Sequence, residues 1–296
     1  MTAAATAPKL PAERPGHPPP PEIAARRKAM AEALAAGTWR VDAPQQETNL
    51  GGVRVLRFPP PAGSPRGTVL HLHGGGFRIG CPEMISAYAA ALASRCGVEV
   101  VCPAYRLAPE HPFPAGLADA RAVMTALHNK RGNPLILSGD SAGGGLAAGL
   151  AALAVADDPR PAGLVLLSAW LDLTVTSRSY ADNAANDSLF SLAEAQKAAA
   201  LYLQGASARD PLASPLFGSV DGFPPTLISI GQEEVLADDG RHFCETLRAA
   251  GIRASLHAVP GMEHVAVTRN FSLKGAAETF DAVATFIDRV TGPKPQ

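Results

Sequence analysis

Ser141 lies in a pattern that is typical of an activated serine nucleophile. The pattern is G-x-S-x-G, from Gly139 to Gly143, and it falls between an apolar run and an alanine-rich stretch. If the run is a strand and the stretch a helix, the chain must reverse sharply at Ser141, and only small residues let the two elements approach closely. The turn would present the hydroxyl at a helix N-terminus, where the dipole favours developing negative charge. This pattern predicts acyl transfer through a covalent serine intermediate.

A second motif could stabilise the negative charge that such chemistry creates. The sequence His73-Gly74-Gly75-Gly76 follows the apolar run TVLHL. A glycine run just past a strand leaves backbone N–H groups accessible to the oxygen of a tetrahedral intermediate. The amide of Ala142, the residue after the serine, would be a further donor.

A serine on a turn of this kind acts together with an acid and a histidine base, and the three residues follow in the order Ser, then Asp or Glu, then His. The histidine that serves as general base should therefore follow the last strand. Three histidines lie downstream of Ser141. His242 falls early in a predicted helix and His257 falls inside a predicted strand. His264 lies in the turn PGMEH directly after that strand, so we predict that it is the base.

The acid should follow the preceding strand, where the chain offers four carboxylates: Glu233, Glu234, Asp238 and Asp239. The two aspartates fit the first turn of a helix, where the dipole stabilises them. We favour Glu234, although loop geometry alone barely separates it from Glu233.

These residues require a sheet whose strands end at one edge, and the chain beyond about residue 51 alternates strand and helix patterns. The predicted strands are Val53–Phe58, Thr68–His73, Glu99–Pro103, Leu135–Ser138, Gly163–Ser168, Thr226–Ile230 and Ala254–Val259. The predicted helices between them are Glu83–Arg95, Ala115–Asn129, Gly145–Val155, Asp239–Ala250 and Ala276–Val290. Short, continuous apolar strands alternating with helices indicate an α/β fold with a mostly parallel, doubly wound sheet.

Two segments lie outside this alternation. Residues 1–21 are rich in Pro and Ala, and we predict that they are disordered; a helix is predicted at Glu22–Ala36. About fifty residues between Trp170 and Pro225 contain no clear strand but include the predicted helix Ser191–Gln204. We expect residues 22–45 and 175–210, the cap segments below, to form a small helical cap on a single domain of residues 22–296.

Composition excludes several other classes of protein. The net charge of −1 gives no reason to expect nucleic acid or an anionic membrane as a partner, and the sequence contains no long apolar run that would insert into a bilayer. The N-terminal sequence lacks an apolar signal region, so we expect a cytoplasmic protein. The cysteines have no C-x-x-C spacing and are expected to be reduced: Cys81, Cys96, Cys102 and Cys244.

Two other patterns in the sequence could indicate binding sites instead of catalysis by Ser141. Gly143–Ala148 fits a G-x-G-x-x-A dinucleotide pattern, but that pattern belongs to the first strand–helix turn of its domain, and here several strands precede it. His71 and His73 are two apart on a strand and could face the same way, but no third ligand is evident. We therefore expect neither a cofactor nor a metal.

With these residues in view, the chain resembles the bacterial esterase branch of the hormone-sensitive lipase family of α/β-hydrolases, in the subgroup with GDSAG at the nucleophile. The resemblance covers roughly residues 50–290. The motifs that carry it are HGGGF (73–77), YRLAPEHPFPA (105–115), GDSAGGGLA (139–147), LDLT (171–174), DPLASPL (210–216), EVLADD (234–239) and PGMEH (260–264).

The resemblance implies an α/β-hydrolase fold, a helical cap and a serine carboxylesterase acting on short- to medium-chain acyl esters. It implies that Glu234 is the acid, where most members have Asp, and that Gly75, Gly76 and Ala142 donate to the oxyanion. His73, Gly74 and Asp140 would support these motifs. The expected pocket residues are Phe77, Tyr180, Phe190 and Leu203, with Trp170 as a further candidate. The alternatives are an N-acyl or acetyl hydrolase, a lactonase, or a non-catalytic receptor on the same scaffold, and family members often form homodimers.

Overall fold

The computed structural model describes residues 8–128, 133–157 and 160–292. A mixed sheet of eight strands forms the centre of this part of the chain. In chain order the strands are β1 Gln46–Leu50, β2 Val53–Phe58, β3 Thr68–Leu72, β4 Glu99–Pro103, β5 Leu135–Asp140, β6 Gly163–Leu167, β7 Thr226–Gly231 and β8 Ala254–Val259. Their order across the sheet is β1-β2-β4-β3-β5-β6-β7-β8. β2 pairs antiparallel with both β1 and β4, and the other neighbouring strands pair parallel.

The helices surround this sheet and extend beyond it. They are α1 Pro21–Ala35, α2 Ser86–Cys96, α3 Ala115–His128, α4 Ala142–Leu153, α5 Ser179–Asp182, α6 Leu192–Leu203, α7 Ala237–Ala249, α8 Ala266–Arg269 and α9 Ala276–Thr291. Short 3-10 turns lie at Pro82–Ile85, Ala154–Ala156 and Pro215–Phe217. Within the described ranges no helix is both long and apolar enough to cross a lipid bilayer.

Each face of the sheet carries its own hydrophobic core. Leu135 and Leu137 of β5 pack on one side with α3, α4 and α7, whereas Ile136 packs on the other side with α2 and α9. Successive side chains of a strand point to opposite faces, so a strand with helices on both faces must be apolar at every position. This confirms the doubly wound, mostly parallel arrangement predicted from the sequence.

Most element bounds differ from the prediction by one or two residues, the short helices α5 and α8 were not predicted, and three differences have a clear physical reason. β1 was missed because its sequence, QETNL, is largely polar; it lies at the sheet edge with mostly exposed side chains. α4 begins at Ala142, three residues before the predicted start, because its first turn consists of glycines that sequence patterns score as a loop. The first turn of the helix predicted at Glu83–Arg95 is instead the 3-10 turn Pro82–Ile85.

The N-terminal residues have contacts that composition alone did not predict. Residues 1–7 of the segment expected to be disordered lie outside the described ranges, and residues 8–20 contain no helix or strand. The Glu13 carboxylate pairs with Arg106 at 2.6 Å, and Arg14 donates to the carbonyls of Leu203 and Gln204 at the end of α6. This part of the tail therefore lies against the body of the protein.

Candidate active site

Ser141 occupies the turn that joins β5 to α4, and its backbone is strained. Its φ of 50° and ψ of −121° lie outside the regions that side chains normally adopt. A Cβ on Gly139 would overlap the Gly143 carbonyl, and a Cβ on Gly143 would overlap the Leu72 carbonyl at the end of β3. Both glycines are therefore needed for the helix to pack this closely on the sheet, as the sequence pattern predicted.

His264 connects Ser141 to Glu234 through two short hydrogen bonds. The His264 Nε2 atom lies 3.0 Å from the Ser141 Oγ, and its Nδ1 atom lies 2.8 Å from the Glu234 Oε2. All three side chains are buried: Ser141 is 6%, His264 7% and Glu234 2% exposed. Three residues that are far apart in sequence therefore converge at the carboxyl edge of the sheet.

The environment of His264 favours its protonated form. Burial by itself disfavours the charged imidazolium, but the hydrogen bond and the charge of Glu234 outweigh burial and raise the pKa of His264 above its ordinary value. The carboxylate thus stabilises the imidazolium that would form when the ring accepts a proton from Ser141.

The two glutamates that the sequence barely separated have different partners. Glu234 accepts hydrogen bonds from the Gly231 amide at 2.5 Å and from the Ser168 hydroxyl at 2.8 Å, in addition to its contact with His264. Glu233 turns the other way and accepts from the Gly261 amide at 2.7 Å. The structure therefore brings only Glu234 to the imidazole, in agreement with the choice that the family resemblance favoured.

Ser168 is a site residue that the sequence analysis missed. It directly follows β6, has a φ of 45°, and donates to Glu234 while its Oγ accepts from the Val265 amide at 3.2 Å. One hydroxyl thus connects the acid to the loop that carries the base. Its position just past a strand, at the edge where the triad collects, is the signal that could have identified it.

The glycine loop after β3 lies beside Ser141 and presents free amides. Gly75 and Gly76 have φ values of +121° and +59°, and a Cβ on Gly75 would overlap the Ile79 carbonyl. Within the described part of the chain, the amides of Gly75, Gly76 and Ala142 donate to no acceptor. Unpaired N–H groups in a loop beside a serine nucleophile are the donors that an oxyanion site requires.

Three buried side chains hold this loop in position. His73 Nδ1 lies 2.7 Å from the Gly74 carbonyl, and the Tyr105 hydroxyl donates to the His73 carbonyl at 2.6 Å while its ring stacks on the imidazole. Burial lowers the pKa of His73, so this ring is favoured in its neutral form. Asp140 lies next to the loop and contacts His71 Nε2 at 3.0 Å. His73, Gly74 and Asp140 thus lie where the motif predicted.

A pocket of about 440 Å³ opens onto Ser141 and His264. Its inner wall consists of the glycine loop, Asp140, Met84 and Ile85, and its outer wall comes from both cap segments and the end of α8. The residues on the outer wall are Arg26, Trp39, Leu189, Phe190, Glu194, Thr268 and Arg269. Phe190 lines the pocket as predicted, and its ring stacks parallel to His264 with the centroids 6.0 Å apart.

The predicted lining role is wrong for the other aromatic candidates and for Leu203. Phe77 has a φ of 62°, which turns its ring into the core, where it stacks on Tyr202 with centroids 3.8 Å apart. Tyr180, Leu203 and Trp170 are likewise buried in the core rather than in the pocket wall. Size and apolarity alone cannot tell a pocket wall from the core behind it.

The remaining histidines and the cysteines lie away from Ser141 or have other partners. His242 is exposed on α7, His257 lies on β8 near Glu278, and His71 is bound to Asp140 and to Ser138. All four cysteines are free thiols. In the described ranges no three His, Cys, Asp or Glu side chains cluster closely enough to hold a metal ion.

The glycines that suggested a nucleotide-binding pattern serve helix packing. A Cβ on Gly144 would lie 2.5 Å from the Ala169 Cβ, and one on Gly145 would lie 2.5 Å from the Trp170 carbonyl. They belong to the turn after β5, the fifth strand in the chain, whereas nucleotide patterns follow the first strand.

Comparisons with known proteins agree with this geometry. A family model described as having the alpha/beta hydrolase fold matches residues 69–268. An acetyl-hydrolase of Streptomyces hygroscopicus is 37% identical over 78% of this chain and 79% of its own length. An esterase of Acinetobacter venetianus is 37% identical over 72% of this chain and 71% of its own length. A crystal structure of an esterase from the bacterial hormone-sensitive lipase family is 32% identical, has a TM-score of 0.86, and covers 93% of this chain and 94% of its own.

Proposed function

The chain belongs to the α/β-hydrolase family, on its hormone-sensitive-lipase-like branch, and from this premise we propose that it hydrolyses short- to medium-chain carboxylic esters with Ser141, His264 and Glu234. It is a serine carboxylesterase by its relatives and its fold. The observation that carries the assignment of these residues is the unbroken chain of hydrogen bonds from the serine hydroxyl through the imidazole to a buried carboxylate.

The first half-reaction forms an acyl-enzyme. Ser141 Oγ attacks the ester carbonyl while His264 Nε2 takes its proton, and Glu234 fixes the imidazole tautomer and stabilises the imidazolium. The negative oxygen of the tetrahedral intermediate accepts hydrogen bonds from Gly75, Gly76 and Ala142, whose amides have no other acceptor among the described residues. The alcohol then leaves with the proton that His264 carries.

The second half-reaction releases the acid. Water takes the place of the alcohol beside His264, which removes a proton from it, and the resulting nucleophile attacks the acyl-enzyme carbonyl. The same three amides stabilise the second oxyanion. Collapse of that intermediate restores the Ser141 hydroxyl and releases the carboxylic acid, so no organic cofactor is required.

The direct test replaces the nucleophile. We expect Ser141→Ala to lower kcat for 4-nitrophenyl butyrate by about 10⁴-fold or more, because the triad acts as a unit. Ser219→Ala, an exposed serine far from the pocket, is the matched control. Circular dichroism serves to check that both variants are folded. Wild-type turnover by a folded Ser141→Ala protein would contradict the assignment.

Substrates that carry an N-acyl or acetyl group are the second candidate class, and one observation favours the acetyl group. The Streptomyces relative is named an acetyl-hydrolase. Amides and lactones could use the same triad. A series of 4-nitrophenyl esters from acetate to decanoate, with one anilide and one lactone of matched size, ranks these classes by kcat/KM. A non-catalytic receptor would hydrolyse none of them.

We also propose that the cap segments cover the site and select its substrates. Arg26 of α1 and Glu194 of α6 lie 3.7 Å apart, and both line the pocket that opens onto Ser141. A cytoplasmic location and a homodimer stay predictions from the sequence and the resemblance. Cell fractionation tests the first, and light scattering across a range of protein concentrations tests the second.

A further inference from the structure

Arg78 is a buried, charged residue of the pocket that the proposed ester hydrolysis does not use. It follows the glycine loop, is 4% exposed, and lines the same pocket as Ser141. A Cβ on Gly76 would lie 3.4 Å from its Nη2 atom, so the guanidinium lies against the proposed oxyanion loop. A cation in this position can contact the part of the substrate that lies next to the glycine loop.

Arg78 is incompletely paired for a buried cation. Its Nη2 atom reaches Glu194 at 3.4 Å, while its Nε atom has no hydrogen-bond partner among the described residues. Burial lowers the pKa of Arg78, which indicates that the protein does not fully compensate the desolvation of the charge, yet a guanidinium stays protonated. A buried donor without a partner is costly unless a ligand supplies the acceptor.

Glu194 cannot neutralise the pocket on its own. Its side chain is 40% exposed and also lies 3.7 Å from Arg26 and 3.7 Å from Lys197. Arg269, on the far wall, is paired with Glu263, and Asp140 is bound to His71. Among the lining residues on this side, Arg26 and Arg78 face one carboxylate, Glu194, and Glu22 adds a second negative charge that acts on Arg78 from outside the lining.

The direction of catalysis indicates which part of the substrate meets Arg78. The alcohol oxygen must lie beside His264 Nε2, because that atom protonates it. The glycine loop and Arg78 lie on the oxyanion side, against Glu194 and Ala198 of α6. The carbonyl oxygen itself meets the loop amides, and we assign the acyl chain to the side of the carbonyl that faces Arg78, away from the leaving alcohol.

We propose that Arg78 binds a carboxylate at the far end of the acyl chain, so that the preferred substrates are monoesters of dicarboxylic acids. A carboxylate can accept from the free Nε–H and an Nη–H together, the two-pronged geometry that guanidinium groups favour. This proposal rests on the proposed esterase function. Hydrolysis of such a monoester consumes one water and releases the alcohol and the dicarboxylate.

The test compares an anionic ester with a neutral ester of similar length. The probes are the 4-nitrophenyl monoester of adipic acid and 4-nitrophenyl hexanoate, and the quantity is the ratio of their kcat/KM values after subtraction of spontaneous hydrolysis. We expect Arg78→Met to lower this ratio by about tenfold or more, the effect typical of losing a charge-assisted hydrogen bond. Arg78→Lys should lower the ratio less than Arg78→Met does, because lysine keeps the positive charge but lacks the two parallel N–H donors of the guanidinium group.

Two further variants keep the test decisive. Glu194→Gln should raise the ratio, since it removes the carboxylate that competes for Arg78, and it does so without altering Arg78 itself. Arg121→Met is the matched control: Arg121 lies on α3, paired with Asp157 and outside the pocket, so the ratio should not change.

Each contrary result has a distinct meaning. Equal loss on both esters in Arg78→Met would show that Arg78 only fastens the cap to the loop, and the proposal would be wrong. The butyrate ester of 4-hydroxybenzoate carries its charge on the alcohol side, and a dependence on Arg78 for that probe alone would overturn the acyl-side assignment. If the wild type left both the anionic and the neutral ester intact, the esterase function would fail, and this proposal with it.

Discussion

The sheet edge that carries Ser141 and the cap segments that line the same pocket are held in place by different forces. At the sheet edge, backbone meets backbone: Gly139, Gly143 and Gly75 each fill a position where a Cβ would overlap a carbonyl. In the cap, side chains make the connections, as when Arg27 of α1 donates to the carbonyls of Arg78 and Ala108. Backbone contacts cannot shift without breaking the fold, whereas side-chain contacts can be exchanged one at a time.

This difference suggests a division of labour between the two regions. The positions of the nucleophile, base and oxyanion donors depend on the rigid edge, where an error of about 1 Å is enough to cost two orders of magnitude in rate. We propose that substrate choice depends on the cap, where Leu189 and Leu192 are exposed and several ion pairs are solvent-accessible. Changes at the edge should therefore affect chemistry for every substrate, and changes in the cap should affect stability or selectivity.

Among the changes that test this difference between the sheet edge and the cap, the largest loss of kcat is expected at the triad acid, Glu234. Glu234→Gln should lower kcat by about 10³- to 10⁴-fold, because the imidazole loses its orientation and the partner for its positive charge. Glu234 raises the pKa of His264, so without its charge the imidazole should stay unprotonated to lower pH. The acid limb of the pH–rate profile for the residual activity should therefore shift to lower pH. The adjacent Glu233→Gln is the control and should leave both kcat and the profile close to wild type. A profile that does not move in Glu234→Gln would contradict the account.

The next largest effect is expected in the glycine loop. Gly75→Ala should lower kcat by about 10²- to 10³-fold with little change in KM, because the new Cβ displaces a proposed oxyanion donor. Gly251→Ala is a matched control, since Gly251 also has a positive φ, +76°, but faces open space. It should lose only about 1–2 kcal/mol of stability from the backbone conformation. Equal kcat values in the two variants would show that the glycine loop does not stabilise the oxyanion.

In the cap, the expected effect falls on stability rather than on chemistry. Arg27→Met removes two hydrogen bonds to carbonyls and the ion pair with Glu110, and should lower the free energy of unfolding by about 1.5–3 kcal/mol. The kcat for a neutral ester should fall less than tenfold. Denaturant unfolding and steady-state kinetics measure the two quantities, and Lys28→Met, on an exposed position of the same helix, is the control. A loss of kcat as large as that of Gly75→Ala would erase the distinction between the regions.

The smallest effect concerns the junction between the sheet edge and the second cap segment. Asp239 of α7 accepts from the amides of Leu171 and Asp172 and from the Ser177 hydroxyl, and burial raises its pKa to about 7. Because the folded pKa exceeds the unfolded one, the native state holds its proton longer, and this contribution to stability is lost as pH rises from about 4 to about 7.

Asp239→Asn should therefore flatten the fall of unfolding free energy across that interval. The amide oxygen can accept from the two backbone N–H groups, its NH2 group can donate to the Ser177 hydroxyl, and the amide does not titrate. Asp281→Asn, at an exposed position on α9, should leave the slope unchanged. Parallel slopes in Asp239→Asn and the wild type would show that Asp239 does not titrate in this range.

The sequence allowed the sheet to be predicted because buried parallel strands are apolar at nearly every position. The turn that carries Ser141 was predictable because it requires glycine at a fixed spacing from the serine. β1 was not, since an edge strand buries too little to leave a pattern in QETNL. Ser168 was missed for a related reason: a single serine after a strand is common, and only its contact with Glu234 in the folded chain distinguishes it.

The pocket could be predicted least. Phe77 and Phe190 are equally apolar, yet the φ of 62° at Phe77 sends its ring into the core, and no pattern in the sequence specifies that angle. The sequence analysis did not single out Arg78, because nothing in the local pattern after HGGGF distinguishes it. Its burial depends on α6, which lies more than 110 residues further along the chain. Long-range contacts of this kind are not encoded in local spacing.

The most direct test of the central claim is to identify which side chain acts as the nucleophile. An active-site-directed fluorophosphonate probe, followed by peptide mass spectrometry, should modify the wild-type chain once, on Ser141. The same probe should leave Ser141→Ala unmodified and should react far more slowly with a His264→Ala variant, in which the base is absent. Stoichiometric labelling of another residue, or undiminished labelling without His264, would contradict the proposed triad.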